Sequence, residues 1–132
     1  MIYEIKLKEK DLKESIKLAD KFCQAENIEK ERALKIRLVF EELITNMFRH
    51  AIKLGTTEVK VELKKNKNEE VLIIFTYDGD EFDPTNYRDK RINQSLEDGK
   101  EKGGLGLFLV MNFSKEFTYQ RNNGVNKLSV KI

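Results

Sequence analysis

The stretch FEELITNMFRHA, Phe40 to Ala51, places Glu42, Asn46 and His50 four residues apart. An α-helix turns once in roughly 3.6 residues, so these positions form one slightly drifting stripe. Around the stripe stand Val39, Phe40, Leu43, Ile44, Met47, Phe48, Ala51 and Ile52, which read as packing residues. A row of carboxylate, amide and imidazole beside them costs desolvation unless protein groups or a ligand satisfy it.

Working outward, Asn27 is placed to cap this helix, with Glu29 and Glu31 at its positive end. Its apolar positions run from Ala33 to Leu54, and Gly55 ends it. Upstream, Tyr3, Ile5 and Leu7 alternate with charged residues as a half-buried strand. Asp11 followed by Glu14 signals a helix start, after which Leu12, Ile16, Ala19, Phe22 and Cys23 share a face. Downstream, Val59, Val61 and Leu63 alternate with charges in a strand with one wet face. A polar turn leads into VLIIFTY, which is apolar on both faces and reads as central in its sheet.

After DGDEFDP the charged run TNYRDKRINQSLEDGKEK has few aliphatic side chains and reads as a lid at about 84–102. Then GGLGLFLVMNF opens on glycines and continues as a short apolar helix, and EFTYQR, NNG and VNKLSVKI form a hairpin. The order is strand, helix, helix, two strands, lid, helix, two strands. This predicts one α+β domain over 1–132, a two-layer sandwich. Its sheet is mixed and mostly antiparallel, covered on one face by three helices.

Composition narrows the function. A chain of 132 residues with 25 Lys and Arg against 23 Asp and Glu has a net charge of +2. That argues against direct nucleic-acid binding, which favours a gathered excess of base. The apolar runs are too short to span a bilayer, and a single cysteine, Cys23, permits no intrachain disulfide. A cytoplasmic domain without a membrane anchor is the expectation. Phe75, Phe108, Phe113 and Phe117 are best explained as core.

Three places offer chemistry. On the stripe, an Asn46 oxygen suits Mg²⁺, which takes hard oxygen ligands and keeps phosphates and waters for the rest. Glu42, one turn earlier, is placed to accept a proton from a hydroxyl beside a bound phosphate. Glu41 points well over a right angle away from Asn46. The plain alternative is that the stripe is only the polar edge of an amphipathic helix. Second, Gly103, Gly104 and Gly106 precede a helix whose free N–H groups attract phosphate, or they form a tight entry turn. Third, YDGDEFDP ends the central strand, where turns and ligand sites both occur. His50 is the only histidine.

Taken in order, these signals resemble the GHKL ATPase superfamily, and within it the small anti-sigma factor serine kinases. EELITNMFRHA is similar to that family's first motif, E-x-x-x-N-x-x-x-H, at Glu42, Asn46 and His50. DGDEFDP is similar to the second motif as many anti-sigma factors write it, and GGLGLFLV to the third.

The resemblance implies an ATP- or ADP-binding site and a serine/threonine protein kinase, a transferase acting in transcription regulation. Asn46 would hold Mg²⁺ against the triphosphate, and Glu42 would be the general base. Arg49, His50, Asp78, Gly79 and Gly103 would lie near the nucleotide. Gly104, Leu105 and Gly106 would give backbone N–H groups to the phosphates. It further implies a serine-bearing anti-sigma factor antagonist as acceptor, a sigma factor as the protein held, and often a homodimer.

One position departs from the pattern. The family places an aspartate two residues before the second motif's glycine, where its carboxylate reads the adenine amino group. Here that position is Tyr77, and Asp78 directly precedes Gly79. Neighbours on a strand point to opposite faces, so Asp78 substitutes only where the backbone turns or bulges. The alternative function is therefore a non-catalytic regulatory module of the same fold, with weak or no nucleotide binding. The ATP-binding half of a sensor histidine kinase is a third reading, disfavoured because no phosphoacceptor segment precedes the first strand.

Overall fold

Phe40 and Phe75 stack with ring centroids 5.9 Å apart, and this contact fixes the central helix on the central strand. In a computed structural model, residues 1–86 and 104–132 are described. In chain order they form β1 (Ile2–Lys6), α1 (Leu12–Ala25), α2 (Lys30–Arg49), β2 (Glu58–Lys65), β3 (Val71–Tyr77), α3 (Gly104–Phe113), β4 (Glu116–Asn122) and β5 (Val125–Lys131). The lid expectation falls mostly on residues outside this set, as does Gly103.

The sheet order is β1-β2-β3-β5-β4. Every neighbouring pair of described strands is antiparallel, so the mostly antiparallel sheet contains no parallel pair among them. The two-layer α+β expectation holds. Along β3, residues 71, 73, 75 and 77 are buried and the alternating ones are half-buried. The buried set meets Leu18, Phe22, Ile36, Phe40, Leu43 and Met47 from α1 and α2.

Local chemistry explains the element ends, with two corrections. Asp11 caps α1 as expected, its side chain accepting from the Lys13 N–H at 3.1 Å. Asn27 does not cap α2, whose N-cap is Glu29. Instead Asn27 adopts φ 51° and ends α1, with its N–H donating to Gln24 and that of Ile28 to Cys23. This is the paired closure of a Schellman turn, for which Asn tolerates the left-handed conformation. The second correction is Phe108, which is 48% exposed on α3, whereas Phe75 is fully buried.

α2 stops at Arg49, and the chain tightens through His50 into a 3₁₀ turn, Ala51–Leu54, closed by Gly55 at φ 91°. That tightening sets the position of the second motif, because the Asp80 N–H donates to the Leu54 carbonyl at 2.8 Å. The β4–β5 hairpin turns on Asn123 and Gly124, both at positive φ, as a two-residue turn requires.

Candidate nucleotide site

The stripe exists as read. Glu42 and Asn46 stand on α2, and His50 caps its end. Asn46 is 2% exposed, while Glu42 and His50 are half-buried. Arg49 is exposed in the last turn of α2, where a cation also complements the helix dipole.

α3 brings the glycine motif to the stripe. It begins at Gly104 and runs ten residues, so the N–H groups of its first turn lie outside its own ladder. Gly106 lies against Glu42: a Cβ built there would stand 2.0–2.3 Å from the Glu42 carboxyl carbon and oxygens, so the carboxylate would have to swing aside. Glycine at this place leaves the carboxylate its position against the helix start.

The second motif is shaped by two opposed side chains. Tyr77 points inward, 2% exposed, and its hydroxyl donates to the Phe82 carbonyl at 2.6 Å. Burial above all pushes this phenol well above its usual range. Its ring meets Phe82 edge-on at 6.4 Å, and Phe82 lies 6.2 Å from the His50 ring.

Asp78 points the other way. Its carboxylate accepts from the Thr57 N–H at 2.9 Å, the Thr57 hydroxyl at 2.7 Å and the Glu58 N–H at 3.2 Å. Burial pushes its acidity down, but these bonds outweigh it and hold the carboxyl below the usual range. β3 therefore runs extended to Tyr77, and the turn begins only afterwards at Gly79, φ 91°.

A residue outside the motifs holds this loop. Asn126, fully buried on β5 opposite Tyr77, donates from Nδ2 to the carbonyls of Tyr77, Asp78 and Asp80 at 3.2, 3.4 and 3.2 Å. Its Oδ1 accepts from the Phe82 N–H at 3.4 Å, from Arg121 at 3.0 Å and from the Tyr119 hydroxyl. The sequence carried a signal for it. Asn126 shares strand parity with Leu128, Val130 and Ile132, so an amide stands at an inward position.

Among the described residues, no group of three or more His, Cys, Asp or Glu could hold a metal ion. The stripe nevertheless offers an amide oxygen and a carboxylate, a hard-oxygen pair that suits Mg²⁺ carried chiefly by phosphate oxygens and water.

This geometry coincides with a match to the family model for the histidine kinase-like ATPase domain, over residues 5–132. The chain belongs to that family. It is a GHKL-type domain, and its curated relative is a serine/threonine-protein kinase. It is 30% identical to the serine/threonine-protein kinase BtrW of Bordetella bronchiseptica over 96 residues. That alignment covers 72% of this chain and 66% of BtrW, just under two thirds.

Among solved structures, the SiaB–SiaC complex of Pseudomonas aeruginosa matches with TM-score 0.71 at 15% identity, covering 100% of this chain and 88% of that one. The histidine kinase domain of the Erythrobacter litoralis blue-light activated kinase matches with TM-score 0.52 at 18% identity, covering 77% and 44%. These two likenesses establish the histidine kinase-like ATPase fold. Among the described residues, no helix is long and apolar enough to cross a membrane.

Proposed function

We propose that the chain is an ATP-dependent serine protein kinase of the anti-sigma type, working in the cytoplasm. It phosphorylates a small antagonist protein and holds a sigma factor until that antagonist, unphosphorylated, displaces it. The observation that carries this reading is the seating of Gly106 on Glu42. It puts the candidate general base beside the start of a helix suited to phosphate.

In this reading Asn46 holds Mg²⁺, and Gly104, Leu105 and Gly106 give N–H groups to the phosphates. Bound Mg²⁺ supplies charge neutralisation at the transferring phosphoryl group. Glu42 takes the proton of the acceptor hydroxyl. Family membership supports a nucleotide-binding role, and the likeness to BtrW supports a protein acceptor. SiaB is found in complex with SiaC, and an analogous small partner is proposed here.

Calorimetric titration with ATP and ADP, each with and without Mg²⁺, tests this. Mg²⁺-dependent binding that Asn46→Ala abolishes is expected, followed by phosphotransfer that Glu42→Ala abolishes. No binding by the folded protein overturns the kinase. The second reading, a non-catalytic protein-binding module, would then stand, and inward Tyr77 is the observation that favours it.

A further inference from the structure

Asn123 is the only asparagine of the chain that glycine follows. It stands at φ 51°, with Gly124 at φ 78°, in the two-residue turn of the β4–β5 hairpin. Residues 121–125 are all exposed, and a Cβ built at Gly124 would meet nothing within 4 Å. Among the described residues, no hydrogen bond holds the Asn123 side-chain amide or the Gly124 N–H. An amide carbon and the next backbone nitrogen are therefore both open to water, and glycine leaves that nitrogen unshielded.

Asp78–Gly79 is the acid counterpart of this pair, and there the fold closes it. The Asp78 carboxylate accepts from Thr57 and Glu58, and Gly79 packs on the Gly55–Thr56 backbone. The two pairs are alike in sequence and opposite in freedom.

We propose that Asn123 is a site of spontaneous covalent modification, converting to aspartate and isoaspartate, and that the isoaspartate form loosens the second-motif loop. The Gly124 nitrogen, giving its proton to water, attacks Asn123 Cγ and closes a five-membered imide. The Cγ–Nδ2 bond breaks, and Nδ2 takes a proton from water and leaves as ammonia. Water then opens the ring. Breaking the nitrogen's bond to Cγ gives aspartate, while breaking its bond to the main-chain carbonyl carbon gives isoaspartate, whose chain runs through Cβ and Cγ.

Isoaspartate lengthens the main chain by a carbon inside a turn that sets strand register. That register places Asn126 opposite Arg121, and Asn126 holds the carbonyls of Tyr77, Asp78 and Asp80. A distorted turn thus reaches the second motif through one amide.

The test incubates the folded full chain at neutral pH and physiological temperature and digests samples with trypsin, which frees residues 122–127. The expected result is the mass gain of NH₂ replaced by OH, mapped to position 123 and faster than at any other asparagine. Gly124→Ala, checked for folding by circular dichroism, slows it. Amide exchange at Asp80 and Phe82 should be faster in the chromatographically separated isoaspartate form than in unmodified protein. Conversion that occurs only in the urea-unfolded chain overturns the site, because the folded turn is then protected. Conversion with unchanged exchange at Asp80 and Phe82 overturns its link to the loop.

Discussion

The Glu42 carboxylate occupies the space that a side chain at position 106 would need. The contact joins the stripe on α2 to the glycine-led start of α3. Gly106→Ala displaces the carboxylate, the free end of a flexible side chain, so thermal melts should show a change in stability of less than about 1 kcal/mol. Phosphotransfer, once measurable, is expected to fall at least tenfold, because the candidate base is moved. Undiminished phosphotransfer in Gly106→Ala would mean that the place of the Glu42 carboxylate against α3 does not matter to the reaction.

Gly79 and Gly124 share positive φ, at 91° and 78°, but differ in surroundings. A Cβ at Gly79 would stand 2.6 Å from the Thr56 nitrogen and 2.8 Å from the Gly55 carbonyl carbon, whereas one at Gly124 meets nothing within 4 Å. Gly124→Ala therefore tests backbone strain alone, about 1 kcal/mol. Gly79→Ala adds a backbone collision between the second-motif turn and the Gly55–Thr56 backbone that closes the 3₁₀ turn, and about 3 kcal/mol is expected. Urea denaturation of both variants checks the order. Equal losses would mean that the approach of the two turns carries no energy.

Most of the fold was legible because alternation and helical spacing are local. The strands around Val59, Phe75 and Leu128 follow from which neighbours are apolar, and Asp11 announces α1 by its own chemistry. The stripe was legible for the same reason, since its residues lie on one helix. Asn27 was misread because a left-handed helix end and an N-cap favour the same residue, and only the chain path separates them. The meeting of Glu42 with Gly106 is 64 residues long-range and depends on how α3 packs, which no local pattern encodes. Asn126 was visible as a polar inward position, but its partners on the motif loop were not.

Asp78 ties the end of β3 to the start of β2 through Thr57 and Glu58. Its carboxyl is held below the usual range, so the folded state releases this proton more readily than the unfolded chain. The contribution to stability is present above the unfolded value near ~3.9 and is lost as pH falls through the lower folded value. Asp78→Asn is expected to cost about 1 kcal/mol at neutral pH, a modest figure for an exposed carboxylate. It should also flatten the acid limb of the stability curve below about pH 4 relative to wild type. A parallel acid limb would assign the loss to other carboxylates.

Asn126 is the most demanding residue of the second motif's surroundings, because its amide serves the loop from both ends. Nδ2 satisfies carbonyls at Tyr77, Asp78 and Asp80, and Oδ1 receives the buried N–H of Phe82. Arg121 and Tyr119, on the more open β4 side, can exchange this bond for water, but the loop's own groups cannot all do so. Asn126→Ala leaves buried partners unmet at about 1–3 kcal/mol for such a group, and adds a small cavity. A loss of about 3 kcal/mol is expected, with faster amide exchange at Asp80 and Phe82. Asn126→Asp separates the two ends of the amide. It keeps the oxygen, with the Arg121 guanidinium at 3.0 Å to balance the new charge, but sets a second carboxylate oxygen against the carbonyls that Nδ2 served. Asn126→Asp should therefore lose stability comparable with Asn126→Ala at neutral pH, because the donor end is gone in both. An Asn126→Asp protein as stable as wild type would show that the donor end of Asn126 contributes nothing to holding the loop.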